Sequence, residues 1–254
     1  MRITQRQCNN DLCVPASVRN ACISKDIKRP CINTDHTLAV VGKCSSGKSV
    51  VIQSFLKKKS QYRKAFDNVF VIAPEATLGA FKSCVFKNHD PDKMYHELNC
   101  DVLNEIAEKI EASNAEAESD DPCDQRHSLV VIDDMQASLK EPATEKCLLH
   151  MMSSYRHTQT SFWIVLQSYF AMGRKLRNVT RAIMQFKMAS KREMEAFNEE
   201  VLPMYDRKQM SMLARYVWKH PKTDKHSFLY IDREKSTVCK NMNLLQIEDE
   251  DDNE

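Results

Sequence analysis

Short apolar runs alternate with amphipathic stretches along most of this chain. Runs rich in β-branched and aromatic residues, typical of buried strands, occupy 37–41, 68–73, 128–133, 161–167, 182–186 and 227–231. Polar and apolar positions repeat with helical spacing over 48–59, 98–112, 143–153, 191–201 and 207–218. This alternation predicts an α/β fold, a mainly parallel β-sheet sandwiched by helices. The acidic, alanine-containing stretch 111–126 is expected to form an exposed loop.

The first apolar run is followed by a glycine-containing loop. Residues 42–49, GKCSSGKS, fit every fixed position of the phosphate-loop pattern G-x-x-x-x-G-K-[ST] between a strand and a helix. Two glycines permit the tight path that lets successive N–H groups surround a phosphate at a helix N-terminus. Lys48 supplies a cation for the outer phosphates and Ser49 a hydroxyl for Mg²⁺. We predict nucleotide contacts from Gly42, Ser45, Ser46, Gly47, Lys48, Ser49 and Val50.

The run at 128–133 continues into Asp134, so the segment 128–134 ends in two adjacent acids, Asp133 and Asp134. A nucleotide site that uses Mg²⁺ needs a carboxylate on a strand beside the phosphate loop, and a buried parallel strand of this composition would supply it. We assign Asp133, together with Ser49, to the metal and Asp134 to polarising the attacking water. The alternative is a strand that merely ends in a polar turn.

Two further polar groups flank the run at 161–167. Gln167 and Ser168 end it, and because neighbouring parallel strands end at one edge of a sheet, Gln167 is expected to reach the γ-phosphate or the attacking water. Arg156 lies in the basic link before this run and is a candidate to enter a neighbouring subunit's site, where it would stabilise charge on the transferred phosphoryl group. The alternative for Gln167 is a strand-terminal turn, and the alternatives for Arg156 are a helix C-cap or a contact with a phosphate of some other ligand.

Length and composition narrow the classes of protein. With 254 residues, 42% of them hydrophobic, the chain can bury one sizeable core. We divide it into an N-terminal extension (1–35), a P-loop domain (36–233) and an acidic tail (234–254). No apolar run is long enough to cross a bilayer, and the first residues lack a secretory apolar segment, so we expect a soluble intracellular protein. The ten cysteines include no C-x-x-C pair and fit no zinc pattern, which favours reduced thiols.

Charge is unevenly distributed along the chain. The stretches 111–124 and 248–254 carry six acids each and no Lys or Arg, so removing these twelve acids from the net charge of +2 leaves +14 on the rest. That surplus suits a polyanion such as nucleic acid. The densest basic clusters are 173–177 with Arg181, and 57–59. We favour the first as a DNA contact, because a loop leaving the nucleotide edge could move with the γ-phosphate.

Taken together, the phosphate loop, the pair Asp133 and Asp134, Arg156, and the pair Gln167 and Ser168 resemble the FtsK/HerA superfamily. Within it, the spacing and compact size resemble the genome-packaging ATPases of poxviruses and other large nucleocytoplasmic DNA viruses, over about residues 37–230. The resemblance implies a RecA-like P-loop NTPase ring, a hexamer or pentamer, that hydrolyses ATP with Mg²⁺ to thread double-stranded DNA non-specifically into a capsid. It also implies capsid or portal partners and a location in the viral factory, the host cytoplasm or nucleus, or the virion.

The same resemblance implies roles for single residues. Phosphate and Mg²⁺ would be bound by Lys48 and Ser49, the metal supported by Asp133, and the water activated by Asp134, with Arg156 as the trans-acting finger and Gln167 as the sensor. Many relatives carry Glu in place of Asp134, whose shorter side chain would hold the water from one methylene further back. Two other functions stay open: a P-loop nucleoside or nucleotide kinase, although no paired-arginine lid motif is visible, and a nucleotide-binding capsid-assembly component.

Overall fold

The computed structural model describes residues 27–77, 86, 89–116, 126–188, 190–220 and 222–245. In these residues one sheet contains nine strands: β1 (Thr37–Val41), β2 (Asn68–Ile72), β3 (Met94–Tyr95), β4 (Ser128–Asp133), β5 (Thr160–Leu166), β6 (Ala182–Phe186), β7 (Phe228–Asp232), β8 (Thr237–Lys240) and β9 (Asn243–Leu244). Their order is β3-β2-β4-β5-β1-β6-β7-β8-β9. Pairing is parallel from β3 to β6 and antiparallel from β6 to β9. The mainly parallel sheet predicted from the sequence is confirmed.

Helices cover both faces of the sheet. The described α-helices are α1 (Lys48–Lys57), α2 (Cys100–Ala115), α3 (Pro142–Ser153), α4 (Arg174–Val179), α5 (Lys191–Val201) and α6 (Arg207–Val217). One apolar core lies between the sheet and α2 to α6, and a second lies between the sheet and α1, where Ile52 and Phe55 pack with Trp163. Strands buried on both faces explain why the sequence shows continuous apolar runs instead of alternation. None of the described helices is long and apolar enough to cross a membrane.

Four elements were not predicted from the sequence: β3, α4, β8 and β9. β3 and β9 contain two residues each, which is too short to establish a period. α4 is six residues long, and its sequence, RKLRNV, resembles a solvated basic loop. β8 buries only its two central residues. The missed elements are therefore short ones whose patterns resemble those of loops.

Several boundaries also differ from the predictions. α2 continues to Ala115 because Ile110 and Ser113 are buried, so the loop predicted at 111–126 begins later; residues 117–125 lie outside the described part. α1 ends at Lys57 because Lys58 adopts extended backbone. β8 and β9 lie inside the segment 234–254 that we assigned to the tail, so the sheet extends beyond the predicted boundary at 233. The three-part division of the chain otherwise stays a prediction.

Residues 27–35 of the predicted extension pack against the second core. Ile32 is buried, and its carbonyl oxygen accepts a hydrogen bond from the Tyr62 hydroxyl at 2.6 Å. Nδ1 of His127 lies 3.0 Å from Oδ1 of Asp35, which ties this segment to the start of β4. These contacts attach the end of the extension to the edge of the sheet that lies opposite the phosphate loop.

Candidate nucleotide site

The phosphate loop joins β1 to α1 at the carboxyl edge of the parallel strands. Its start is tightly enclosed, because a Cβ added at Gly42 would lie 2.6 Å from Cβ of Phe186 and 2.7 Å from Oγ of Ser46. Gly47, the N-cap of α1, has φ of 103°, and Ser45 has φ of 61°. Both angles lie in the left-handed region, which glycine adopts without steric cost. A left-handed turn directly before a helix N-terminus is the arrangement that binds phosphate.

Lys48 folds back onto this loop. Its Nζ donates to the carbonyl oxygen of Gly42 at 2.5 Å and to that of Lys43 at 2.8 Å. Burial lowers the pKa of the Lys48 ammonium, and the negative charge of Asp133 opposes that shift. Oγ of Ser46 is buried and has no hydrogen-bond partner among the described residues. The cation of Lys48 lines the cleft and can engage a phosphate, whereas the Ser46 hydroxyl lies inside the loop and does not line the cleft.

The strand register brings the acidic pair to the loop. Asp133 is opposite Val165 of β5, and β5 pairs in parallel with β1, so the tips of the three strands lie side by side. Asp133 is 5% exposed, whereas Asp134 turns out of the sheet with φ of 57° and is exposed. Nε2 of Gln167 donates to Oδ1 of Asp134 at 2.7 Å. Three residues chosen from the sequence thus meet at one edge.

Asp133 and Ser49 were assigned to a metal, and their chemistry fits Mg²⁺. Burial, and to a lesser extent the negative charge of Asp134, raises the pKa of Asp133 to about 6, while Lys48 opposes the shift. The carboxylate of Asp133 and the hydroxyl of Ser49 are oxygen donors, the ligand type that Mg²⁺ prefers. Within the described residues, no group of three or more His, Cys, Asp and Glu side chains could hold a metal. Mg²⁺ is commonly bound by one or two carboxylates together with substrate phosphates and waters, and Asp133 would supply such a carboxylate.

His226 was not predicted from the sequence. Its Nδ1 donates to the carbonyl oxygen of Ser46 at 2.9 Å, although 180 residues separate the two along the chain. A Cβ at Gly47 would lie 3.3 Å from the same nitrogen. With the phosphate loop and the acidic pair, His226 lines a cleft of about 370 Å³ whose walls also include Thr77 and Val50. No local sequence signal identifies this histidine, because only the fold brings the start of β7 to the loop.

Arg156 and Ser168 lie away from this cleft. Arg156 precedes β5, whereas Gln167 follows it, so the seven residues of β5, about 23 Å of extended chain, separate them. The Arg156 side chain is 65% exposed; its Nε donates to the Tyr155 hydroxyl at 2.9 Å, and its nearest carboxylate, on Glu234, is 3.7 Å away. Ser168 instead donates from Oγ to Oε1 of Glu193 at 2.8 Å and caps the following turn.

The basic cluster that we favoured as a DNA contact, 173–177 with Arg181, is largely committed to internal contacts. Arg177 is 8% exposed and binds the Glu200 carboxylate through two nitrogens, at 2.8 and 2.9 Å. Arg181 donates from Nη1 to Oε2 of Glu234 at 2.7 Å and lies 3.4 Å from Asp232. Only Arg174 and Lys175 of the cluster are exposed. The DNA contact stays a prediction for Arg174 and Lys175, whereas Arg177 and Arg181 have buried or half-buried carboxylate partners.

A phosphate loop after β1, two acids at the tip of β4 and an amide at the end of β5, the strand between them, define a P-loop ATPase. The chain belongs to the poxvirus A32 protein family, whose model matches residues 25–253. No curated protein matches the sequence.

Solved structures share the fold at low sequence identity. The DNA-packaging ATPase B204 from Sulfolobus turreted icosahedral virus has a TM-score of 0.58 and 13% identity, covering 85% of this chain and 100% of its own. The genome-packaging NTPase B204 from Sulfolobus turreted icosahedral virus 2, in complex with ATP-γ-S, has a TM-score of 0.54 and 13% identity over 84% of this chain and 100% of its own. EssC (ATPases 2 and 3) from Geobacillus thermodenitrificans has a TM-score of 0.54 and 14% identity over 85% of this chain and 41% of its own.

Proposed function

We propose that this protein is an ATP-driven motor that moves double-stranded DNA and packages a viral genome into capsids. The proposal rests mainly on one observation: Arg156 lies far from the other residues that we assign to hydrolysis. Lys48, Asp133, Asp134 and Gln167 gather at one edge of the sheet, whereas the candidate finger Arg156 is exposed at the other edge. Membership of a poxvirus family and likeness to the B204 packaging ATPases support the genome-packaging role.

Each group at the nucleotide edge has a defined task in hydrolysis. The loop backbone and Lys48 bind the phosphates, and Ser49 and Asp133 would hold a Mg²⁺ ion, which would neutralise phosphate charge. Asp134 is exposed, so it polarises a water that approaches from solvent. The Gln167 amide, through its 2.7 Å hydrogen bond, orients that carboxylate and is placed to sense the γ-phosphate.

A ring completes the site. In a closed ring each interface is head-to-tail, so the nucleotide edge of one subunit meets a different surface of its neighbour. Arg156 makes an exposed contact with Glu234, of the kind that contributes little to stability, and an exposed hydrogen bond to its neighbour Tyr155. It can therefore leave these partners for a phosphate across the interface. We propose a hexamer or pentamer in which Arg156 acts in trans. Its capsid or portal partners would place it at sites of virion assembly in the infected cell.

Phosphate release from ATP distinguishes the three candidate functions. With Asp134→Asn protein as background, a motor is stimulated by duplex DNA. A kinase instead responds to a nucleoside or nucleoside monophosphate as acceptor, and an assembly component responds to neither. Translocation itself is tested by displacement of a third strand annealed to the duplex, which should require hydrolysable ATP. Stimulation by a small acceptor, with no response to DNA, would contradict the motor.

A further inference from the structure

Cationic side chains collect at the end of α1 that lies opposite the phosphate loop. They come from two segments, 27–34 and 57–66, and neither segment contains an acidic residue. The backbone N–H of Lys28 donates to the carbonyl oxygen of Ser60 at 3.1 Å, which joins the segments into one surface. All seven cationic residues are exposed. We call this surface the α1 basic patch; its members are Lys28, Arg29, residues 57–59, Arg63 and Lys64.

The patch is built on a rigid base. Tyr62 is 2% exposed, stacks on Phe66 with ring centroids 5.8 Å apart, and meets Trp163 edge-on at 5.1 Å. The backbone N–H of Arg63 donates to the carbonyl oxygen of Lys58 at 3.2 Å, so the chain between α1 and β2 forms a compact turn. The backbone that carries the charges is therefore ordered before any partner binds, which reduces the backbone entropy lost on binding.

The charge of the patch is not neutralised within the part of the chain that the structure describes. No ion pair there involves any of its seven side chains, whereas Arg156, Arg177 and Arg181 all have carboxylate partners. The rings of the two segments, Tyr62 and Phe66, pack into the core instead of facing solvent with the cations. A surface of this kind can neutralise phosphates but offers no ring on which an unpaired base could stack.

We propose that the α1 basic patch binds the phosphate backbone of duplex DNA without reading its sequence. The inference rests on the proposed DNA motor and assigns its DNA contact to a surface other than the cluster at 173–177. It also connects the two substrates, because α1 begins at the phosphate loop and ends at the patch. Its ten residues form a rod of about 15 Å between the nucleotide and the DNA. Bound DNA can thus influence hydrolysis through one rigid helix.

The test compares two variants: one lacks three lysine charges of the patch, and the other lacks three lysine charges elsewhere on the surface. The patch variant is Lys58→Gln, Lys59→Gln, Lys64→Gln, and the matched control is Lys146→Gln, Lys175→Gln, Lys208→Gln, whose residues are also exposed and without an ion pair in the described residues. Each protein is titrated with a fluorescent random-sequence duplex over a range of salt concentrations. Hydrolysis is measured with and without duplex, and melting temperature reports on folding.

The patch variant should bind at least about tenfold more weakly near 0.1 M salt, and its log-log salt slope should fall by about two to three units, because each lost phosphate contact contributes about 0.9. It should keep its DNA-independent hydrolysis and lose the stimulation by DNA, while the control stays within about twofold of wild type. If the triple variant does not fold, the double variant Lys58→Gln, Lys64→Gln is used instead. Its salt slope should fall by about two-thirds of the decrease expected for the triple variant.

Three outcomes would overturn the inference. If wild type binds DNA and the patch variant binds equally well, the patch is not the contact and the motor proposal stands. If the control loses the affinity instead, the opposite face of the sheet holds the DNA. If wild type binds phosphatidylserine vesicles through the patch but shows no salt-sensitive DNA binding, both the patch inference and the motor proposal fail.

Discussion

Arg177 is expected to stabilise the fold instead of contacting DNA, and Arg177→Gln tests this directly. Its guanidinium makes two hydrogen bonds to Glu200 and a third, at 2.7 Å, to the carbonyl oxygen of Met172, and it lies 4.9 Å from the ring centroid of Tyr169. Removing one partner of a buried pair costs about 3–5 kcal/mol. Because the two side chains are 10% and 25% exposed, we expect the lower end, about 3 kcal/mol.

Urea unfolding of the ligand-free protein measures this free energy, and for a chain of this size the melting temperature should fall by about 6–12 °C. Lys175→Gln, an exposed change on the same helix, is the control and should stay within about 0.5 kcal/mol of wild type. The duplex affinity of Arg177→Gln should not change while the protein is folded. A change in unfolding free energy below 1 kcal/mol, or a loss of DNA affinity without a loss of stability, would refute this role.

The difference in unfolding free energy between wild type and Arg177→Gln should also depend on pH, and this dependence tests the role of Arg177 a second time. Hydrogen bonding from Arg177 lowers the pKa of Glu200 in the folded protein. A carboxyl group with a depressed folded pKa contributes stability above its unfolded pKa of about 4.3, and this contribution is lost as pH falls through the folded value. The gap between wild type and Arg177→Gln should therefore be constant from pH 6 to 8 and narrow below about pH 4.

Changes at the nucleotide edge should separate binding from catalysis. Lys48→Ala should abolish turnover and weaken ATP binding in a fluorescent-nucleotide titration, whereas Asp134→Asn should keep binding and lose hydrolysis. The reason is that, of these two side chains, only Lys48 is proposed to contact the ground-state phosphates; equal losses of binding would contradict the role of Asp134. His226→Ala should raise the Kd for ATP about fivefold with little change in kcat, because one hydrogen bond of about 1 kcal/mol to the loop is lost. His220→Ala is the control, and an unchanged Kd in His226→Ala would remove His226 from the site.

The sequence predicted the central part of the molecule well because parallel strands buried on both faces leave uninterrupted apolar runs. The phosphate loop and Asp133 were visible for the same reason, since each directly follows such a run. The sequence did not identify His226 as a site residue, because its contact with the loop depends on tertiary structure. The burial of Arg177 was not predicted, because arginines that cluster in a sequence usually lie in solvent. Nothing near Arg177 in the sequence identifies its partner Glu200, which is 23 residues away. Local patterns identify groups at strand ends, whereas the partners of charged side chains require the fold.

The role of Arg156 between subunits is the central claim, and mixing two inactive proteins tests it most directly. Arg156→Ala and Asp134→Asn should each lack DNA-stimulated hydrolysis. If the finger acts in trans, some interfaces in a mixed ring pair an intact Arg156 with an intact Asp134, and activity returns. Such a finger contributes roughly 10³-fold or more in rate, so even a minority of repaired sites should exceed background. If subunit exchange is confirmed and the mixture stays inactive, Arg156 does not act across the interface and the ring mechanism is contradicted.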